Sequence, residues 1–191
     1  MNETISIPGV KVNTFQVTIV GDTSLLSNRF SETQQTAIRD KQQGRARGPR
    51  ELKDPEKCFQ ESIYRTDNGR PGFPISGIKK ACVSVCRFID SMAMTQARGS
   101  FFILGEVAAI DGVPTIREDV VKLRKVADLR YRAEYKEWSI QLTVQHSPNV
   151  ISEESILNLL ELAGFHVGLG DWRPETNGTH GMFHVKRADE D

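Results

Sequence analysis

The sequence has little cysteine, no long apolar run and no excess charge of either sign. Its three cysteines, Cys58, Cys82 and Cys86, are an odd number without the paired spacing of metal ligands, which favours reduced thiols in a cytoplasmic protein. No stretch approaches the roughly 18 apolar residues of a membrane span, and residues 1–9 lack the basic and apolar regions of a signal peptide. The 191 residues carry 25 basic and 25 acidic side chains, so the net charge neither favours nor excludes a polyanionic partner. We therefore expect a cytoplasmic protein without membrane association.

Motifs of common enzyme classes are also missing. All four histidines lie at or after position 146. His180 and His184 have the separation of a helical metal-binding pair, but Gly181 and the strand-like context argue against a helix there. Gly168-x-Gly170 follows a helical pattern instead of a strand, so it is not a dinucleotide-binding fingerprint, and the sequence has no Gly-x-Ser-x-Gly elbow. We expect no metal and no cofactor, and the pattern favours a protein that is not an enzyme. A metal-independent ribonuclease that uses His166 or His180 with Asp171 stays an open alternative.

The apolar pattern predicts strands and helices in alternation. Strands are expected where apolar and polar side chains alternate, and helices where apolar residues recur at helical spacing. The expected order is a strand at 15–20, a helix from Pro74, a strand at 100–107, the start of a hairpin or side ribbon at 113–117, a strand at 138–144, a helix opened by Ser152 and ended by Gly164, and a strand at 181–185. This order predicts an α+β fold of the ferredoxin-like (RRM-like) kind, βαββαβ, with an antiparallel sheet and two helices on one face.

Residues 28–72 do not fit this plan and are predicted to be a long insertion after the first strand. The segment is rich in glutamine and arginine and is interrupted by glycine and proline, which indicates a flexible, basic tip. Residues 58–64 are expected to add a short strand within it. We predict a single domain over residues 1–191, with this insertion and an acidic tail at 188–191.

The insertion concentrates basic side chains that could follow a phosphate chain and become ordered on binding. The residues of this segment predicted to bind nucleic acid are Arg39, Lys41, Arg45, Arg47, Arg50 and Lys53. A solvated loop without a partner is the alternative.

Two further groups of basic residues are candidates for the same role. Lys79 and Lys80 lie in the first turn of the first predicted helix, where they are expected to face a nucleic-acid strand. Arg130 and Arg132 alternate with tyrosines, a mixture that suits phosphate contact and base stacking. The same patterns equally suit surface lysines and an amphipathic element whose tyrosines cover the edge of the core.

Residues 164–185 read GFHVGLGDWRPETNGTHGMFHV and contain five glycines between a helix and a strand. Glycine allows positive φ and close approach of another chain, so N–H groups of such a loop can face phosphate oxygens. The residues predicted to bind nucleic acid here are Gly168, Gly170, Trp172 and Arg173. The arginine would pair with phosphate and the tryptophan would stack on a base. In the alternative, Trp172 plugs the edge of the core and Arg173 pairs with Asp171 or Glu175.

Three segments carry a resemblance to a known family. They are the glycine-rich loop between the last helix and the last strand, Phe73-Pro-Ile-Ser-Gly-Ile-Lys-Lys-Ala81 at the first helix, and Thr18-Ile-Val-Gly-Asp-Thr-Ser-Leu-Leu26 at the first strand. In these features the sequence resembles the RAMP superfamily, the RNA-binding proteins of CRISPR systems, and in particular the backbone subunits that polymerise along guide RNA. Asp171-Trp-Arg-Pro174 replaces the basic string of the family's loop, and the chain is short, which indicates a distant relative of cellular or viral origin.

The resemblance implies a non-catalytic subunit that assembles along single-stranded RNA, as in a CRISPR effector backbone. Its partners would be single-stranded nucleic acid, most readily RNA, and either further copies of the chain or other subunits of a ribonucleoprotein. The basic insertion would correspond to the finger or thumb elements of such subunits. Besides the ribonuclease, a second alternative is a virus-encoded assembly or inhibitor protein whose arginine-rich loop contacts acidic protein.

Overall fold

The computed structural model describes residues 9–45, 53–123 and 126–187. The strands are β1 (Asn13–Gly21), β2 (Leu25–Ser27), β3 (Tyr64–Arg65), β4 (Pro71–Pro74), β5 (Phe101–Ile103), β6 (Val107–Asp111), β7 (Pro114–Leu123), β8 (Val126–Tyr135), β9 (Ser139–His146) and β10 (Phe183–Val185). The α-helices are α1 (Glu32–Gln42), α2 (Pro55–Ser62), α3 (Ile75–Val85), α4 (Met94–Ser100) and α5 (Glu153–His166). Short 3₁₀ turns lie at Cys86–Phe88 and Pro174–Thr176.

The main sheet is built around β10, β1, β9 and β5, in that order across the sheet. All of these neighbours are antiparallel, and β1 pairs with β9 from Asn13 opposite His146 to Val20 opposite Ser139. β5 and β6 pair with successive parts of β9, and the sheet continues from β6 through β4 to β3. With α3 after β1 and α5 after β9, this is the mixed α+β arrangement that the sequence predicted. The predicted ferredoxin-like fold class is confirmed, with extra strands at one side.

The core lies between the sheet and the helix pair α3 and α5. Side chains alternate between the two faces of β1 and β9, so Ile19, Ile140 and Leu142 are buried beneath the helices. The helices meet them with apolar residues at helical spacing, such as Ile78 on α3 and Leu160 on α5, both without exposed surface. Full burial of one such side chain contributes about 1.5–3 kcal/mol relative to an exposed position.

Cys82 lies on the buried side of α3, and Cys86 follows directly after the helix. Both side chains are part of the core, and burial raises the pKa of the Cys82 thiol to about 12. The thiolate, which is the reactive form, is therefore absent from Cys82 at neutral pH. These cysteines are packing residues.

Helix α5 begins as predicted but ends two residues later than expected. The Ser152 hydroxyl accepts a hydrogen bond from the N–H of Ser155 at 3.1 Å, and two glutamates occupy the first turn. Gly164 does not end the helix, which continues to His166. A Cβ at Gly164 would lie 1.8 Å from the carbonyl oxygen of Phe183, so glycine is required here for close contact between α5 and β10.

The insertion contains α1, α2, β3 and the start of β4 in the described part. The short strand predicted at 58–64 is wrong, because most of this stretch belongs to α2. The Asp54 carboxylate caps this helix by accepting hydrogen bonds from the N–H groups of Glu56 and Lys57 at 3.0 and 3.2 Å. The acidic tail at 188–191 lies outside the described residues.

A second sheet consists of β2, β8 and β7. β7 and β8 form a long antiparallel hairpin, paired from Pro114 opposite Tyr135 to Leu123 opposite Val126. The hairpin predicted to start at 113–117 is therefore confirmed. β2 pairs with the end of β8 near Tyr135, and α2 packs on the same strand. The hairpin thus lies beside the segment that follows β1.

Candidate nucleic-acid interface

The glycine-rich loop, here residues 167–182, is folded tightly against the segment after β1. Positive φ angles occur at Gly168 (69°), Gly170 (74°), Gly181 (69°), Trp172 (55°) and Asn177 (61°). A Cβ at Gly170 would lie 2.3 Å from the carbonyl oxygen of Leu26. The N–H of Asp171 donates to that oxygen at 3.0 Å, and the N–H of Gly181 donates to Ser24 O at 2.8 Å. Glycine is needed here for both backbone conformation and contact distance.

Backbone N–H groups of this loop bond to protein carbonyls. The N–H of Gly168 donates to Ala163 O at 2.8 Å and closes the end of α5. The N–H of Leu169 donates to Gly181 O at 2.9 Å, and that of His180 to Trp172 O at 3.0 Å. These three N–H groups therefore stabilise the loop itself and are not available to bind a ligand.

A buried arginine of the hairpin holds the loop in place. Arg132 on β8 is 1% exposed, and its guanidinium donates to Asp119 Oδ2 at 2.6 Å and to Asp171 Oδ2 at 2.8 Å. Its guanidinium carbon lies 4.7 Å from the ring centre of Trp172. Arg132 thus connects both strands of the hairpin to the loop, and its burial keeps it away from a surface-bound phosphate chain.

Arg117 on β7 extends this network. Its guanidinium donates to Asp119 Oδ1 at 3.0 Å and to Glu134 Oε1 at 2.8 Å, and it lies 5.5 Å from the Trp172 ring centre. The imidazole of His180 packs edge-on against Trp172, with ring centres 5.9 Å apart. Trp172, which is 39% exposed, is therefore held by two arginines and one histidine, with part of its ring left open to solvent.

The charges of this network affect two ionisable groups. Burial raises the pKa of Asp119, but hydrogen bonds from Arg117 and Arg132 outweigh it and hold the pKa below its usual value. Burial and then the positive charge of Arg117 lower the pKa of His180, so its ring is neutral at pH 7. Its Nδ1 is buried without a hydrogen-bond partner among the described residues. His180 is thus a packing partner of Trp172 in this arrangement.

A cleft of about 330 Å³ opens between the glycine-rich loop, the first turns of α3 and the β3–β4 pair. This volume is at the lower end of the range of about 300–1,000 Å³ for small-molecule sites. The polar lining includes Asn28, Tyr64, Ser76, Lys80, Asp171 and Arg173. Gly168 and Gly170 form part of its wall. The cleft is therefore the place where the two sequence motifs, the start of the first helix and the glycine-rich loop, come together.

The first turn of α3 gives this cleft a positive wall. Ser76 and Gly77 line it, and among the described residues no side chain caps this end of the helix. Lys80, one turn further, is exposed and lines the same wall. The positive end of the helix dipole and the lysine both favour an anion at this position.

Lys79 does not share this position with Lys80. Its ammonium group donates to Ala97 O at 2.9 Å and to Phe101 O at 2.5 Å, and it lies 3.1 Å from the ring centre of Phe101. Partial burial lowers the pKa of Lys79 to about 8. The side chain joins α3 to the end of α4, and its donors are used by the protein.

Arg173 lines the cleft and is paired within the loop. Its guanidinium donates to Glu175 Oε2 at 2.7 Å and to Gly170 O at 3.1 Å. Arg87, after α3, forms a second ion pair with Glu175. Burial raises the pKa of Glu175, but hydrogen bonds from Arg173 and Arg87 outweigh it and lower the pKa below the usual value. The Glu175 carboxylate therefore stays charged and fixes both arginines at the cleft.

The basic residues of the insertion are spread over several elements. Arg39 and Lys41 are exposed on α1, and the exposed Arg45 lies 3.4 Å from Asp40. Lys53 donates to Asp128 Oδ1 on β8 at 2.7 Å, which ties the start of α2 to the hairpin. Arg47 and Arg50 lie outside the described residues. Lys53 and the glycine-rich loop thus both contact the hairpin.

The remaining predicted residue, Arg130, is partly exposed on β8 and stands opposite Asp119 in the hairpin register. The structure therefore brings Lys80, Gly168, Gly170 and Arg173 to one cleft. Trp172 does not line this cleft, and its ring lies against the hairpin arginines. The structure places Arg132 inside the supporting network.

Asn28 and Tyr64 line the cleft and were not among the predicted site residues. The Asn28 amide donates to Asp171 Oδ2 at 2.9 Å across 143 positions of the sequence. Tyr64 packs edge-on against Phe73, with ring centres 6.4 Å apart, and burial raises its pKa. A lone asparagine and a lone tyrosine in a polar insertion give no local pattern that could have identified them.

The open face of the main sheet is polar in its central strands. Thr18 and Gln141 lie there beside one another on β1 and β9, and the exposed aromatic Phe102 lies on β5. Stacking of bases across central strands, as in RNA-recognition domains, needs aromatic rings at such positions. β1 and β9, both fully described, do not present them on this face. The helix side is therefore the better candidate interface.

Comparison with solved structures gives the fold independently of these motifs. The chain is similar to a chain in the cryo-EM structure of the Type III-B Cmr-beta bound to cognate target RNA, with 13% identity and a TM-score of 0.56. The match covers 93% of this chain and 60% of that chain, so the protein spans 60% of the length of this neighbour. A second neighbour is Cmr6 from Pyrococcus furiosus, with 10% identity, a TM-score of 0.47 and coverage of 93% of this chain and 100% of that chain.

No protein-family model and no curated protein matches the sequence. Within the part of the chain that the structure describes, no helix has the length and apolar character needed to cross a membrane. The likeness to the Cmr-beta chain confirms the fold expected from the resemblance.

Proposed function

We propose that this protein binds single-stranded RNA without cleaving it, as a subunit of a CRISPR-type ribonucleoprotein. The cleft between the glycine-rich loop and α3 carries this proposal. The cleft brings together the exposed Lys80, the start of α3 and the ring of Tyr64 in a space of about 330 Å³. Positive groups beside a ring suit a phosphate and its attached base.

The fold adds support, because the neighbour with this fold is described as bound to target RNA. Trp172, whose chain neighbours Asp171 and Arg173 line the cleft, would add a second, partly exposed ring on the side of the hairpin. The basic insertion would add further contacts to the RNA backbone. In this proposal further copies of the chain occupy adjacent segments of the same strand.

Binding of a labelled single-stranded RNA at several salt concentrations tests the proposal. Each phosphate contact on a single strand changes the slope of log Kd against log salt by about 0.7. Lys80→Ala is expected to weaken binding and to reduce the slope by about that amount, because one contact is lost. Replacing Arg45, Arg47 and Arg50 together by alanine is expected to reduce the slope by more than Lys80→Ala does.

Lys136→Ala is the matched control, since Lys136 is an exposed lysine beside the open face of the main sheet. It is expected to leave both affinity and slope unchanged. An unchanged slope for Lys80→Ala would contradict the proposed site. Incubation of the same RNA with wild type and with His180→Ala separates binding from the ribonuclease alternative, because only a ribonuclease would shorten the RNA.

A further inference from the structure

Three aromatic side chains form an exposed cluster where α3 and α5 end. Phe88 is 55% exposed and Phe165 is 65% exposed. The imidazole of His166 stacks on Phe88, with ring centres 5.0 Å apart and an angle of 25° between the planes. Phe165 meets the same imidazole edge-on at 4.9 Å. We call Phe88, Phe165 and His166 the aromatic cluster.

The cluster continues the wall of the cleft described above. Ser84, one turn before Phe88 on the same segment, lines the cleft, and Val167 directly after His166 lines it as well. Arg87 joins the two regions, since its Nε donates to Ser84 O at 3.1 Å and its other end pairs with Glu175, which also lines the cleft. A strand leaving the cleft at this end would therefore pass over the cluster.

The chemistry of the cluster is that of a surface for stacking. Single exposed apolar side chains are normal, but here two phenylalanine rings that are more than half exposed adjoin the same imidazole, which gives a continuous row of flat rings. The guanidinium carbon of Arg87 lies 5.4 Å from the ring centre of Phe88, and this side chain is 47% exposed. A flat ring beside an arginine suits a nucleobase and its phosphate, because the ring stacks and the guanidinium carries further donors.

We propose that the aromatic cluster binds an unpaired nucleobase of the RNA strand whose backbone lies in the cleft. This inference rests on the proposed function and adds a base-binding subsite to it. The base stacks on the exposed ring of Phe88 or Phe165, and Arg87 contacts the adjoining phosphate. The subsite holds any base by its flat face, so it does not select a sequence.

The test compares two ligands of equal length, an RNA oligonucleotide and an abasic ribose-phosphate oligomer that has the same backbone without bases. The variant Phe88→Leu with Phe165→Leu keeps apolar bulk at both positions and removes the rings. It is expected to bind the RNA about tenfold more weakly, as for the loss of one stacked base, and to bind the abasic oligomer as the wild type does. Both side chains are more than half exposed, so an unchanged thermal unfolding curve is expected.

Two controls keep this test separate from that of the cleft. Phe102→Leu removes a ring that is 56% exposed on the open face of the sheet, and it is expected to change neither affinity. Lys80→Ala is expected to weaken binding of both ligands, because it removes a phosphate contact. If Lys80→Ala weakens binding and the double leucine variant does not, the subsite is wrong and the cleft stands.

Other results would also overturn the subsite. Equal loss for the RNA and the abasic oligomer would mean that the rings do not act on bases. A change in oligomeric state of the leucine variant with unchanged RNA affinity would assign the cluster to a protein contact instead. A wild-type protein without affinity for RNA would end both proposals together.

Discussion

The guanidinium of Arg132 lies 1% exposed between the carboxylates of Asp119 and Asp171. Burying a charge is unfavourable unless partners and hydrogen bonds compensate it, and here two carboxylates and the Trp172 ring do so. Without this cation the two carboxylates would lose their shared partner, and the hairpin would lose its ion pair with the glycine-rich loop. Arg132 therefore stabilises the interface from within.

Replacing Arg132 by methionine is expected to lower the free energy of unfolding by about 3 kcal/mol, because Asp119 and Asp171 both lose the buried cation that they share. Urea unfolding of wild type and variant measures this change. Arg130→Met, two positions along the same strand, is the control and is expected to cost less than about 1 kcal/mol, since Arg130 is partly exposed. Equal losses for both variants would contradict the structural role of Arg132.

Contacts between residues that are close in the sequence could be predicted in part from the sequence. The pairing of Arg173 with Glu175 was one of two expectations for that arginine, because the residues are two positions apart. The ion pair of Arg132 with Asp171 spans 39 positions and could not be read from spacing. Nothing in the sequence distinguishes the two arginines, and only their surroundings in the fold decide which partners they bind.

At the scale of elements, the glycine-rich loop depends on backbone conformations that other residues rarely adopt. Gly170 has a φ of 74°, and the carbonyl oxygen of Leu26 occupies the space of a side chain. Gly99 lies near the end of α4, and no atom of the described residues lies within 4 Å of the place that a Cβ would take there. Alanine at these two positions should therefore have opposite effects.

Gly170→Ala is expected to destabilise the protein by about 1–3 kcal/mol, because strain at positive φ and the clash with Leu26 add together. Gly99→Ala is expected to leave stability unchanged or to raise it by up to about 1 kcal/mol, since alanine favours helix. Urea unfolding of both variants gives the comparison. A Gly170→Ala variant as stable as wild type would show that the loop relaxes easily and does not form a fixed cleft wall.

One wrong element prediction had a visible signal against it. Asp54 and Pro55 form a typical helix start, with a capping carboxylate and a proline at the first helical position. The apolar residues of the following stretch were instead assigned to a strand. The capping signal was more informative than the short apolar pattern, because it identifies hydrogen-bond partners for specific N–H groups.

At the scale of the whole molecule, the proposed role requires several copies on one RNA strand. A subunit that occupies a fixed length of strand should bind in steps as the RNA is lengthened. Sedimentation velocity of the protein with single-stranded RNAs of increasing length measures the number of bound copies. The expected result is a stepwise increase in mass, and Lys80→Ala should show fewer bound copies at equal concentration.

DNA oligonucleotides of the same lengths are the control for RNA preference, because only RNA offers the 2′-OH group. One bound copy on every RNA length would contradict assembly along the strand while leaving RNA binding intact. If the same assemblies form without RNA, contacts between protein subunits are sufficient for assembly.

The sequence by itself determined the central strands β1 and β9, the helices α3 and α5 and their order, because alternation along the strands and helical spacing in the helices are local patterns imposed by one buried face. It also identified the glycine-rich loop and the start of the first helix as informative segments. Only the tertiary structure decided which charges are free. Lys80 faces the cleft, whereas Lys79 donates its hydrogen bonds to backbone carbonyls and Arg132 is buried. These differences depend on residues that are far away in the chain. The cleft exists only where α3 runs beside the loop, and the aromatic cluster only where α3 and α5 end next to each other.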